Sequence, residues 1–78
     1  MIKGNLVRIY NMLLTCALVS NVEHIADESQ CITFVVNDPN NIDKVTEIIL
    51  AIGIGISEDQ ISWNELDDYS NEGMITAV

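Results

Sequence analysis

The stretch from Cys31 to Gly53 constrains the architecture of this chain more than any other. Cys31-Ile32-Thr33-Phe34-Val35-Val36 is a nearly continuous apolar run rich in β-branched residues, and Asn37-Asp38-Pro39-Asn40 ends it with a turn cluster. That composition predicts a buried strand. From Asn41 to Ile52 the apolar residues Ile42, Val45, Ile48, Ile49 and Ile52 recur at helical intervals, Asp43, Lys44 and Glu47 lie opposite, and Gly53 stands where a helix stops. The pattern predicts an amphipathic helix whose apolar face covers a sheet containing Phe34 and Val36. The expected fold is therefore α+β: a small single sheet of three to four strands packed by one or two helices, in a partial ferredoxin-like arrangement.

The flanking segments are less decided. Residues 6–25 read as a helix through the polar stripe Arg8, Asn11 and Thr15, with Asn5 as a cap. The same segment reads as a long strand through the alternation of Tyr10, Met12, Leu14, Cys16 and Leu18. Helix is favoured, and both readings bury the segment. Ile54, Ile56, Ile61 and Trp63 suggest extended chain, although Ser57-Glu58-Asp59-Gln60 also spells a capping box. A second capping box, Ser62-Trp63-Asn64-Glu65, predicts a short helix to about Ser70, with Trp63 and Leu66 inward, Tyr69 at the flank, and Glu65, Asp68 and Glu72 outward. Asn71-Glu72-Gly73 reads as a turn and Met74–Val78 as a closing strand, placed at a sheet edge where it would invite pairing with a second copy.

Size and charge then limit the work such a chain does. Its 78 residues read as a single domain, 1–78, in which Leu, Ile, Val and Phe make up a third of the positions, enough for a core. A domain this short leaves little room for an elaborate catalytic cleft, so a non-enzymatic role is expected. Only Lys3, Arg8 and Lys44 oppose twelve acids, for a net charge of −9. Direct nucleic-acid binding, which needs clustered cations to displace counterions, is excluded on that balance, and an anionic membrane surface repels the chain for the same reason. The apolar runs also fall short of the roughly 20 residues a membrane span needs. Cys16 and Cys31 are read as free thiols in a reducing, cytoplasmic compartment. Lys3 and Arg8 ahead of Met12–Val19 share some charge logic with a secretory leader, but Asn11 interrupts the run and no small-x-small cleavage pattern follows.

Several chemical motifs fail on inspection. Asp59–Leu66 looks like the end of a calcium loop with Glu65 as its last ligand, yet the earlier ligand positions fall on Ile54 and Ile56, which cannot coordinate calcium. Cys16, His24 and Cys31 lack the paired spacing of a zinc site, and no oxyanion donor accompanies them for thiol catalysis. Gly53-Ile54-Gly55 follows a helix rather than a strand, which argues against a phosphate loop. No metal or cofactor is expected.

Two resemblances remain. The turn Asn37-Asp38-Pro39-Asn40 followed by Ile42, Val45, Ile49, Gly53 and Ile56 is similar to the opening βαβ unit of ACT domains, which implies a ferredoxin-like module that binds amino acids or partners; residues 31–56 carry it. In that family Asp usually stands at Asn37 and Gly at Asn40. In overall type, the tiny acidic chain resembles phage-encoded inhibitors of host defence or repair enzymes. The strongest functional expectation concerns charge: residues 57–72 hold Glu58, Asp59, Glu65, Asp67, Asp68 and Glu72 with no base, whereas 1–22 hold two bases and no acid. Carboxylates so placed imitate phosphates, with Trp63 and Tyr69 as apolar anchors. The expected role is a DNA-mimic inhibitor, in the host cytoplasm if phage-encoded, that occupies the basic surface of a nucleic-acid-processing protein. The alternatives are an ACT-like regulatory or small-molecule-binding module, and a small subunit or assembly factor; a homodimer is expected when the chain is free.

Overall fold

The computed structural model describes residues 4–25, 30–53 and 55–76, without the side chains of residues 4 and 5. In chain order they form α1 (Gly4–Thr15), β1 (Val19–Ile25), β2 (Cys31–Val36), α2 (Ile42–Ile52), β3 (Ile61–Glu65) and β4 (Asn71–Thr76). The four strands make one sheet in the order β1-β2-β4-β3, and every neighbouring pair is antiparallel. The fold is α+β, as the sequence predicts. Because β4 lies between β2 and β3, those two strands run parallel and α2 joins them across the gap, a split β-α-β unit.

Segment 6–25 begins as the favoured helix and turns to strand only from Val19; the alternating residues Tyr10 to Leu18 on which the strand reading rested lie in α1 and the turn after it. Leu6, Ile9 and Leu13, spaced three and four apart, are buried on one side of α1. The helix then ends through Cys16 N–H to Leu13 O at 3.2 Å, and β1 begins at Val19. Helix α1 packs closely over β1 and β2. Helix α2 buries Val45 and Ile49, as its periodicity predicts, with Ile42, Leu50 and Ile52 packed at the margin of the core. Its start is prepared by a single 3-10 turn, Pro39–Asn41, capped by Asp38 Oδ1 accepting from Asn40 N–H at 3.0 Å. Gly53 closes the helix at an ordinary negative φ, so its role is steric. A Cβ there would stand 2.7 Å from Ile9 Cδ1 and 2.9 Å from Ile56 Cγ1.

Both helices cover one face of the sheet, to which Val19, Ile32, Phe34, Val36, Ile61 and Ile75 contribute buried side chains. The other face alternates out of register with them and carries Thr33, Val35, Ser62, Asn64, Glu72 and Met74. Among the described residues no polar or charged side chain is buried. All the polar chemistry lies at the surface.

Three expectations need correction. The short helix from Ser62 to Ser70 does not form: Ile61–Glu65 is a strand, and Leu66–Ser70 is the turn of a hairpin with β4. Trp63 faces inward as expected, but from a strand, and Leu66 is exposed. The Ser57–Gln60 capping box does form, starting a 3-10 turn, Glu58–Gln60, with Ser57 N–H donating to Gln60 Oε1 at 3.0 Å, and Ile61 and Trp63 are extended as expected. Asn71-Glu72-Gly73 belongs to β4, and β4 is an interior strand hydrogen-bonded on both sides. The expected route to a dimer through a free edge of the last strand is thereby closed. Ile54, Ala77 and Val78 lie outside the described residues.

Candidate functional site

The hairpin β3–β4 is organised around a missing side chain. Gly73 stands opposite Phe34 on one side and Trp63 on the other. A Cβ at Gly73 would fall on the Phe34 ring, 2.7 and 2.9 Å from Cε2 and Cε1. With only hydrogen there, the two rings meet across the glycine, centroids 5.6 Å apart at an interplanar angle of 87°, the edge-to-face geometry that aromatic pairs prefer. Trp63 is thus fixed on one side by the core. Its remaining surface forms a wall of a groove between β3 and α2.

That groove has a volume of about 470 Å³ and receives Ile42 and Leu50 from α2, together with Asp43, Thr46 and Glu47. These positions follow the i, i+3, i+4, i+7 spacing of one helical stripe, adjacent to the core stripe. Glu58, from the 3-10 turn, closes the opposite rim beside Trp63. Gln60 steadies the turn by donating from Nε2 to Thr76 O at 3.0 Å, tying the entrance of β3 to the end of β4.

The eight residues singled out from the sequence are distributed along this hairpin rather than along a helix. Glu58 and Asp59 sit at the entrance of β3, while Glu65, Asp67, Asp68 and Tyr69 sit at its exit, about 16 Å away for a five-residue strand. Trp63 lies between the two groups on the helix-covered side. Glu72 is half-buried and faces the other side of the sheet, opposite Asn64 and Val35, so it does not share a face with Trp63. Tyr69 is 76% exposed at the turn.

Asp67 has a local task. Its Oδ1 accepts from Tyr69 N–H at 2.8 Å, Ser70 N–H at 2.8 Å and Ser70 Oγ–H at 2.9 Å, while Leu66 N–H donates to Ser70 O at 3.0 Å. The Tyr69 amide and then the Ser70 hydroxyl hold the carboxyl below its ordinary value of 3.8, against an opposing effect of desolvation that exceeds the contribution of the Ser70 amide. This aspartate closes the hairpin as well as charging it.

Sequence reasoning missed Asp43 and Glu47, which it read as a solvated helix face, and with them Thr46 and Leu50. The available signal was the stripe 43, 46, 47, 50, in which Leu50 is too apolar for a purely solvated face. The other candidates stay apart or are otherwise engaged. His24 lies on β1 rather than near a helix end, edge-on to Tyr10 at 6.3 Å and within 3.3 Å of Gln30 Oε1 through Nε2. Cys16 and Cys31 are free thiols, half-buried and buried. The Asn37–Asn40 turn is tied to β1, with Asn37 Nδ2 donating to Ser20 Oγ at 3.1 Å. Among the described residues no three His, Cys, Asp or Glu side chains come together as a metal site, and no helix is long and apolar enough to cross a membrane.

Compared with family models, with curated proteins and with solved structures, the chain matches none.

Proposed function

We propose that this protein is a non-enzymatic inhibitor that binds the basic, nucleic-acid-contacting surface of a target protein, of the kind phages direct against host defence, and acts in the cytoplasm. The observation that carries this reading is the line of carboxylates along one edge of the sheet: Glu58 and Asp59, then Glu65, Asp67 and Asp68, all exposed, bracketing Trp63. They form two charged clusters at the ends of an edge strand rather than a ring around a helix, spaced to meet separated cationic groups on a partner. The half-exposed Trp63 adds the apolar contact that rim charges lack. Rim carboxylates speed encounter, and any that become buried against an arginine or lysine slow dissociation.

The test uses the full chain immobilised beside a triple variant, E65Q/D67N/D68N, to capture proteins from cell lysate at low and high salt. The parent is expected to retain a basic nucleic-acid-binding protein that salt releases and that duplex DNA displaces. The triple amide should retain it about tenfold less well, because a few exposed charge contacts each contribute about 0.2 to 1 kcal/mol. Equal retention by the triple amide at low salt, or a captured protein that DNA fails to displace, refutes the reading.

A further inference from the structure

We propose that the groove between α2 and β3 is the docking site for an arginine-bearing segment of the protein partner. The inference rests on the reading above and narrows it, moving the centre of binding from the hairpin turn to the groove. Three observations on the same site select the occupant. The floor is apolar, formed by Ile42 and Leu50, and so receives the aliphatic stem of a long side chain or an apolar neighbour. One wall is the indole of Trp63, packed perpendicular to the Phe34 ring, and an indole is the aromatic side chain that attracts a cation best. The rim is acidic on both sides, Asp43 and Glu47 from the helix and Glu58 from the turn, and among the described residues no lysine or arginine lines it.

Arginine fits this combination better than lysine does. Its planar guanidinium stacks on an aromatic ring and forks to carboxylates at the same time, and it gives up hydration more readily than an ammonium group. A purely apolar segment would leave three carboxylates facing it without partners. A nucleic acid would meet like charge on both rims. The volume of about 470 Å³ lies in the range of sites that hold one or two side chains against a surface.

Trp63 is the only tryptophan of the chain, so the groove carries its own probe. The full chain is titrated with a short, end-blocked peptide of alternating arginine and leucine while Trp63 emission is followed, and with a second peptide in which glutamine replaces every arginine. The arginine peptide is expected to change the emission saturably and the glutamine peptide to leave it unchanged. E47Q/E58Q, at two exposed positions and with an unchanged fold verified by circular dichroism, should raise the midpoint about tenfold. Thr46→Lys, which a helix tolerates and which sets an ammonium group in the groove, should abolish the response. E23Q, exposed on β1 at the opposite edge of the sheet and outside both contact surfaces, should shift the midpoint by less than about twofold, because a short peptide in the groove does not reach it.

An equal response to both peptides overturns the proposal. So does a loss in E23Q as large, per charge removed, as in E47Q/E58Q, which would make the attraction a matter of net charge; the broader inhibitor reading would survive that result. Conversely, a groove that behaves as stated while captured proteins resist displacement by DNA leaves the docking site standing and removes the nucleic-acid mimicry.

Discussion

The two hairpins of this sheet handle the same problem in opposite ways. Each contributes one edge strand, β1 or β3, and a free edge with unpaired backbone groups invites unwanted pairing. In β1–β2 the register slips by one residue between Ser20 and Glu23, and Asn21 sits in the left-handed region at φ 52. The extra residue twists the edge out of line and interrupts its row of free groups. In β3–β4 the register runs unbroken from Ile61↔Ile75 to Glu65↔Asn71, with acids rather than a bulge near the two ends of the strand. A bulge destroys an edge as a recognition surface. Charge leaves it straight and makes it selective, which is why the edge beside Trp63, and not the one beside Asn21, is suited to meeting a basic partner.

The comparison breaks most completely at Gly73. Its regular hairpin depends on a position with no side chain between Phe34 and Trp63, and Phe34 is fully buried, with no room to retreat. Gly73→Val forces the ring off its rotamer or splays β2 from β4, and overpacking of this kind costs about 3 kcal/mol. That is a large part of the stability of a small domain, about 5 kcal/mol. Chemical denaturation followed by far-ultraviolet circular dichroism should show a sharply lowered midpoint or an unfolded chain, with Trp63 emission moved to the red. A midpoint equal to that of the parent would mean that the two rings do not meet over the glycine.

A smaller effect sharpens the other side of the comparison. Asn21→Ala should destabilise the β1–β2 hairpin by about 1 kcal/mol, because a β-carbon is penalised in the left-handed region where asparagine is tolerated. Asn21→Gly should be close to neutral or slightly stabilising, glycine reaching that backbone conformation freely. Thermal unfolding of the pair decides it. If alanine and glycine behave alike, the bulge is not held by this residue, and the edge of β1 is straighter than the register slip implies.

The same contrast explains what could be read from the residues. The Cys31–Ile52 strand and helix were legible because each has a long apolar period with a turn cluster between them, and Val45 and Ile49 are buried where the period places them. The change from α1 to β1 was hidden, since Cys16, Ala17 and Leu18 supply neither glycine nor proline to mark it. In residues 61–70 the helical spacing of Trp63, Leu66 and Tyr69 competed with the alternation of Ile61, Trp63 and Glu65. Five residues are too few to separate the two periods. What decided between them was distant in sequence: the opening at Gly73, which lets Trp63 lie against Phe34 and rewards the strand. The groove was invisible for a related reason. Its helical half, Asp43, Thr46, Glu47 and Leu50, offered only the apolar Leu50 as a hint, and what that stripe faces is set by β3, distant in sequence.

The smallest effect lies at the turn and is a matter of pH. Asp67 accepts three hydrogen bonds that are stronger to its ionised form, so its carboxyl titrates below 3.8 in the folded protein. A carboxyl whose folded value is depressed contributes stability that is fully present above its unfolded value and is lost as the pH falls through the folded one. Asp67→Asn keeps an oxygen acceptor in the same place but removes the charge. The variant should therefore melt slightly below the parent at neutral pH, with a difference that stays constant down to about pH 4.5 and then closes as the parent's own Asp67 takes up a proton. Glu65→Gln, a neighbour with no hydrogen bond to the turn amides, serves as the control for net charge. If both variants lose the same amount, with the same dependence on pH, then the turn is not closed by a charged cap and Asp67 belongs wholly to the acidic surface; if only Asp67→Asn shows the closing difference, one side chain both shapes the hairpin and charges it.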